Sequence, residues 1–205
     1  MSDLGNRMKE YEGQLDLKLI KGLPICIRLD GRSFHTFCKD LEKPFDEFFN
    51  EAMKYTMKQL VKETNALIGY TQSDEISLIM FYEDQSSPLF DNRICKLNSI
   101  LASFASLQFA KARTRFLPLY KDDFDACFDC RCWNVPNEIE ACNSLLWREQ
   151  DATKNSINAV AQFHFSHSSI QGLNGKQLQE RLFQEKEINW NDLQPWMKRG
   201  TYAQK

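Results

Sequence analysis

The order of patterned segments predicts an α+β fold: a ferredoxin-like βαββαβ antiparallel sheet with helices on one face, followed by a C-terminal helical and strand extension. Three observations carry the prediction. Four short runs are apolar and rich in strand-forming residues, two longer stretches repeat apolar residues at helical spacing, and a hairpin-length gap separates the second and third runs. Residues 1–136 hold this arrangement, and residues 137–205 are expected to pack on it as part of one globular unit.

The first strand is "PICIRLD", Pro24 to Asp30. Next, "KPFDEFFNEAMKYTMKQLVKETN" places Phe45, Phe48, Phe49, Ala52, Met53, Thr56, Met57, Leu60 and Val61 on one helical face. Pro44 suits the first turn of that helix, where its missing N–H costs nothing. "ALIGY" and "ISLIMFY" then read as a hairpin joined by the five residues "TQSDE". After the polar loop "EDQSSP", a second helix is expected from Asp91 to about Arg113, with Ile94, Leu97, Leu101, Phe104, Ala105 and Phe109 inward. "CFDCRCWNVP" is the fourth strand, stopped by Pro136.

Composition narrows the classes. With 205 residues, 42% apolar and 12% aromatic, the chain can bury one sizeable core and is too apolar for disorder. No run approaches the roughly 18 apolar residues of a membrane span, and "MSDLGNRMKEYEG" lacks the apolar stretch of a secretory signal. An intracellular, cytoplasmic protein with no membrane partner is expected. Seven scattered cysteines read as small reduced thiols. The C-x-x-C within "CFDCRC" has no second pair, and Cys127 and Cys130 would face opposite sides of a strand. His164 and His167 lack an evident carboxylate or thiol partner. A net charge of −2 argues against a generic nucleic-acid coat protein. Basic clusters at Lys111, Arg113 and Arg115, at Arg93 and Lys96, and at Lys198 and Arg199 suit an enzyme holding a cation and a polyphosphate.

Topology adds a specific expectation. Right-handed crossovers make strands one and two parallel and leave strand three between them, antiparallel to both. The end of strand one, Asp30 and Gly31, then lies beside the start of strand three, Asp74 and Glu75. Two carboxylates about 5 Å apart repel by roughly 3 kcal/mol at an effective dielectric near 20. A hard divalent cation such as Mg²⁺ relieves that repulsion, and two such ions bridged by carboxylates are a familiar way to activate a hydroxyl and stabilise a leaving phosphate oxygen. The alternative is that these acids cap turns.

"IRLDGRSFHTF" and "YTQSDEIS", joined by an amphipathic helix, resemble the tRNA-His guanylyltransferase family of reverse, 3′-to-5′ nucleotide-adding enzymes on a polymerase-like palm. The resemblance extends through "NRICKLNSILASFASLQFA", "FDCRCW", "LLWREQDA" and "KRGT", nearly the whole chain. It implies that Asp30 and Asp74 ligate two Mg²⁺ ions together with the Gly31 carbonyl, and that Glu75 is an auxiliary acid. Arg28, Arg32, Ser33, Phe34, His35, Lys43, Ser73, Arg93 and Lys96 match the nucleotide triphosphate environment, although the rings of Phe34 and Phe37 are expected to pack in the core. Lys111, Arg113, Arg115, Lys154, Asn155, Lys198 and Arg199 are the implied tRNA contacts. The implied reaction uses ATP to activate a tRNA 5′ end, which the 3′-hydroxyl of GTP or another NTP then attacks. The family also implies a homotetramer.

One departure is informative. Eukaryotic members carry His-Ile-Asn-Asn after the "WR" motif, whereas this chain has Thr153, Lys154, Asn155 and Ser156. That version resembles the bacterial and archaeal guanylyltransferase-like proteins, whose usual activity is template-dependent repair of 5′-truncated tRNA. The alternative activity is non-templated addition of G to tRNA-His. "KRGTYAQK" is also a shorter ending than the family's usual one. A non-catalytic RNA-recognition module shares the βαββαβ order, but its central strands display aromatics where this chain has aliphatics and acids. Nucleotide cyclases pair acids on a similar sheet without the Q-S-D-E context.

Overall fold

The computed structural model describes residues 3–83, 87–117 and 125–205. The chain begins with α1 (Asp3–Gly13), β1 (Ile25–Gly31), α2 (Phe34–Phe37), α3 (Glu47–Thr64), β2 (Ile68–Gln72), β3 (Glu75–Met80), α4 (Ile94–Phe116) and β4 (Phe128–Asn134). It continues with α5 (Glu138–His164), α6 (His167–Ile170), α7 (Gly175–Lys186), α8 (Pro195–Arg199) and β5 (Thr201–Gln204). The strands form one antiparallel sheet in the order β4-β1-β3-β2-β5. This is the expected palm-like βαββαβ core, with a fifth strand supplied by the extension.

Strand alternation divides the sheet's side chains into two sets. Ile25, Ile27 and Leu29 of β1, with Ile76, Leu78 and Met80 of β3, face α3 and α4 and form the main core. Cys26 of β1, Ile79 of β3 and Tyr70 of β2 face the other way, where Ala141 and Leu145 of α5 cover them. The long helix of the extension therefore lies across the face that the two crossover helices leave open. A third cluster, built on Ile157, Val160, Ala161, Leu178, Leu182 and Trp190, joins α5 to α7. Trp190 is held there by an indole N–H donated to the Ser156 hydroxyl at 3.0 Å.

Several boundaries differ from the sequence expectation. Asp46 caps α3 by accepting the Phe49 N–H at 2.7 Å, so the helix starts at Glu47 and Pro44 lies before the cap, after a cis peptide bond. Phe45 instead meets Trp196 at 6.1 Å between ring centres, and Phe48 is exposed, so the buried stripe begins at Phe49. The hairpin has a two-residue connection, Ser73–Asp74, rather than five, because Gln72 and Glu75 pair directly and Ser73 takes a left-handed conformation (φ 51°). Arg93 caps α4 rather than belonging to it, since Phe90, Asp91 and Asn92 hold positive φ angles just before it. Asp84, Gln85 and Ser86 of the expected polar loop lie outside the described residues.

The fifth strand depends on Gly200. Its φ is +81°, and an added Cβ would stand 2.6 Å from the Thr71 carbonyl oxygen and 2.8 Å from the Tyr70 ring. That close approach lets the Tyr70 hydroxyl donate to the Arg199 carbonyl at 2.8 Å and stack its ring 4.7 Å from Tyr202. Gly200→Ala is expected to lower stability by about 1–3 kcal/mol, measured as a shift in the chemical denaturation midpoint. An unchanged midpoint would mean that β5 separates from β2 at no cost.

Candidate functional site

β1 and β3 run antiparallel with Asp30 opposite Glu75, and on its other side Asp30 stands opposite Asp129 of β4. The Gly31 N–H donates to the Asp74 carbonyl at 3.0 Å. Residues 44 positions apart in the chain thus meet at one end of the sheet, as the topology argument requires. Gly31 has a packing reason to lack a side chain: an added Cβ would lie 2.4 Å from the Phe34 ring. That ring belongs to an aromatic cluster with Phe37, Phe49, Phe109 and Phe128, at centroid separations of 5.1 to 6.1 Å. Phe34 and Phe37 are buried, as expected, and their packing fixes the turn that follows the Asp30 strand.

Asp74 carries a carboxyl held above its ordinary range. Burial, together with the charges of Asp30 and Glu75, pushes its carboxyl up to about 6, against the opposing pull of its own backbone N–H and the Ser73 hydroxyl. Ser73 donates to Asp74 Oδ1 at 3.1 Å. Burial and the same Asp74 charge push the neighbouring Cys38 thiol up to about 12. Among the described residues, no three carboxylate, imidazole or thiol side chains converge as a metal cage. Two carboxylates and a glycine carbonyl are a hard-oxygen set that suits Mg²⁺ when phosphates and water complete the shell.

Glu75 is already engaged. Arg148 of α5 donates from Nε to Oε1 at 2.6 Å and from one terminal nitrogen to Oε2 at 2.7 Å. Arg148 also reaches Asp151 at 3.0 Å. With 14% and 11% of the two side chains exposed, this is a nearly dry bidentate pair that engages both Glu75 oxygens. Sequence reasoning did not assign Arg148. The available signal was a charged residue within the apolar repeat of "LLWREQDA", but its partner lies 73 residues away.

The other candidates divide by end of the sheet. Lys43, Ser73 and Asn155 line one cleft of about 240 Å³ beside Asp74, with Pro44, Phe45, Asp46, Trp196 and Met197. Lys43 donates to the Cys38 carbonyl there. Arg32, Ser33 and His35 are exposed on the turn after Gly31, and Arg113 lies 5.9 Å from the Phe37 ring centre at the same end. Lys111 and Arg115 are exposed on that last part of α4, Lys154 is exposed on α5 beside Asn155, and Lys198 and Arg199 sit just before β5. Arg28 is two residues inward on β1. Arg93 and Lys96 are not brought to this end. They stand where α4 starts, next to Leu17–Leu19, with Arg93 paired to Asp16 at 2.7 Å and Lys96 5.9 Å from the Phe90 ring centre.

The family model for tRNAHis guanylyltransferase (Thg1) matches residues 5–136. A bacterial tRNA(His) guanylyltransferase (Thg1)-like protein solved in complex with ATP is 41% identical, with a TM-score of 0.94, over 99% of this chain and 89% of that one. A second such bacterial structure, in complex with GTP, is 37% identical with a TM-score of 0.84, over 99% and 84% of the two chains. The tRNA(His) guanylyltransferase of Saccharomyces cerevisiae is 29% identical over 87% of this chain and 82% of its own length. An uncharacterized protein of Acanthamoeba polyphaga mimivirus, R259, is 30% identical over 98% and 77%.

Proposed function

The chain belongs to the tRNA-His guanylyltransferase family and is a 3′–5′ nucleotidyltransferase; on that premise we propose that it repairs 5′-truncated tRNA by templated addition. The observation that carries the reading is the meeting of Asp30, Gly31 and Asp74 at one sheet end beside the Lys43–Ser73–Asn155 cleft. Likeness to bacterial structures holding ATP and GTP supports the same nucleotides here as activator and substrate. The Thr153–Ser156 stretch, in place of His-Ile-Asn-Asn, supports repair over obligate addition of G to tRNA-His.

Asp30, Asp74 and the Gly31 carbonyl would hold Mg²⁺, two ions in all, which when bound neutralises triphosphate charge and eases deprotonation of the attacking 3′-hydroxyl. The chain's own groups do the rest by positioning. Ser73 orients the Asp74 carboxylate, and Lys43 supplies positive charge to phosphates at the mouth of the cleft. The cleft has the room and the partly apolar walls to take a nucleoside. Glu75, held by Arg148, keeps α5 against the sheet so that Asn155 and Ser156 close the cleft. Residues 1–136 would act as the catalytic core and residues 137–205 as an extension that completes it. The place of Arg93 and Lys96 at the far end means they would serve a triphosphate only across a contact between copies, which accords with a homotetramer. Among the described residues no helix is long and apolar enough to cross a membrane, and a cytoplasmic site of action fits the tRNA substrate.

The tRNA backbone would be held by Lys111, Arg113, Arg115, Lys154, Lys198 and Arg199 at the site end. Lys154→Ala is expected to weaken tRNA binding similarly for all sequences and to lower the magnitude of the salt slope by about 1. An unchanged slope would remove Lys154 from the contact. The test of the whole reading is a set of tRNAs lacking one 5′ nucleotide, each incubated with ATP and single NTPs. Addition only of the NTP that pairs with the opposing base is expected. Addition of G whatever stands opposite would establish the non-templated activity instead.

A further inference from the structure

The sheet face under α5 carries more positive charge than the reading above uses. Arg28 of β1 stands directly across from Arg131 of β4, a like-charge pair that destabilises a sheet unless an anion lies nearby. Arg131 is exposed and leans on Asp129 at 2.8 Å, while the buried Nε of Arg28 has no hydrogen-bond partner. The Arg28 guanidinium lies 5.7 Å from the ring centre of Trp147, and that of Arg148 lies 4.6 Å from the same ring. Trp147 is nevertheless 53% exposed. An indole half open to solvent, with two guanidiniums within 5.7 Å of its centre, is a stacking surface with cations beside it.

Its position is specific. Arg28 precedes Asp30 by two residues on the same strand face, about 6.6 Å along the backbone. A nucleotide stacked on Trp147 therefore has its phosphate within reach of the acidic edge. Asp129 and Asp30 stand opposite one another on this face, so repulsion of an anion there grows with its charge and favours a monophosphate over a triphosphate. We infer that Trp147, Arg28 and Arg131 bind the 5′-terminal nucleotide of the RNA substrate, base on the indole and 5′-phosphate between the two arginines. This rests on the tRNA 5′-end reading above, and it assigns Arg28 to the RNA end rather than to the free triphosphate.

Fluorescence anisotropy of a labelled RNA hairpin, with a 5′-phosphate or a 5′-hydroxyl, and a separate titration with ATP test it on the full-length protein. Trp147→Leu is expected to weaken phosphorylated hairpin binding at least about fivefold and to leave ATP affinity unchanged. Trp147→Phe, which keeps a stacking face, should restore most of the loss. Arg131→Gln is expected to cut the preference for 5′-phosphate over 5′-hydroxyl by about tenfold. Wild-type hairpin affinity in Trp147→Leu overturns the inference. A loss in the ATP titration instead would give the platform to the free nucleotide, and a changed oligomer size with intact RNA affinity would give it to a protein contact; either result overturns it too. If the wild type takes ATP but binds no hairpin, the tRNA 5′-end reading itself falls, and this inference with it.

Discussion

Replacing Asp74 with asparagine is expected to slow Mg²⁺-dependent nucleotide addition by about 10²- to 10³-fold while leaving the fold intact. The amide keeps the shape and the Ser73 contact but loses the charge that a divalent ion requires. The same substitution carries a pH signature. The native carboxyl titrates near about 6, because burial and the Asp30 and Glu75 charges oppose its ionisation, whereas an unfolded aspartate titrates near about 3.9. Between those values the native state binds a proton that the unfolded state does not. Stability from this group is thus fully present below about 4 and is lost as pH rises through about 6. Melting of the metal-free wild type at pH 5 and pH 7 should show a loss with rising pH that Asp74→Asn lacks. Equal pH dependence in the two proteins would mean that burial and the neighbouring acids do not raise the Asp74 carboxyl.

Arg148→Met is expected to destabilise the protein by about 3–5 kcal/mol, because it leaves Glu75 charged and nearly dry without its partner. The cost belongs mainly to the stranded carboxylate, so the double variant Arg148→Met with Glu75→Leu should recover much of it. Chemical denaturation of the wild type, both single variants and the double variant closes the cycle. No recovery in the double variant would show that Arg148 acts through its stack on Trp147 rather than through Glu75. In the single Arg148 variant, nucleotide addition should fall more than ATP binding to the isolated cleft would explain, since α5 carries Asn155 and Ser156 to the cleft wall.

Much of the fold was legible because its signals are local and repeated. The short apolar, β-branched run "ICIRLD" and the stripe Phe49, Ala52, Met53, Thr56, Met57 and Leu60 mark where the core lies, and burial follows them. The errors fell where a single side chain decides a boundary. The Asp46 cap moved the start of α3 past Pro44, and direct pairing of Gln72 with Glu75 shortened the hairpin. Neither competition between a cap and a proline nor one between turn lengths leaves a periodic trace in the sequence.

The candidate site divides in the same way. Chain order and the handedness of crossovers pointed to residues 30 and 74 sharing a sheet end, because parallel strands one and two leave room for strand three between them. The motif residues around them were readable by type: acids for a cation, lysine and serine for phosphate. Tertiary structure alone decided that Glu75 pairs with Arg148, that Arg93 and Lys96 stand at the opposite end from Asp30, and that Trp147 lies near two arginines. Those facts depend on how α5 and α4 cross the sheet, and a crossing is set by the packing of many side chains at once rather than by any spacing along the chain.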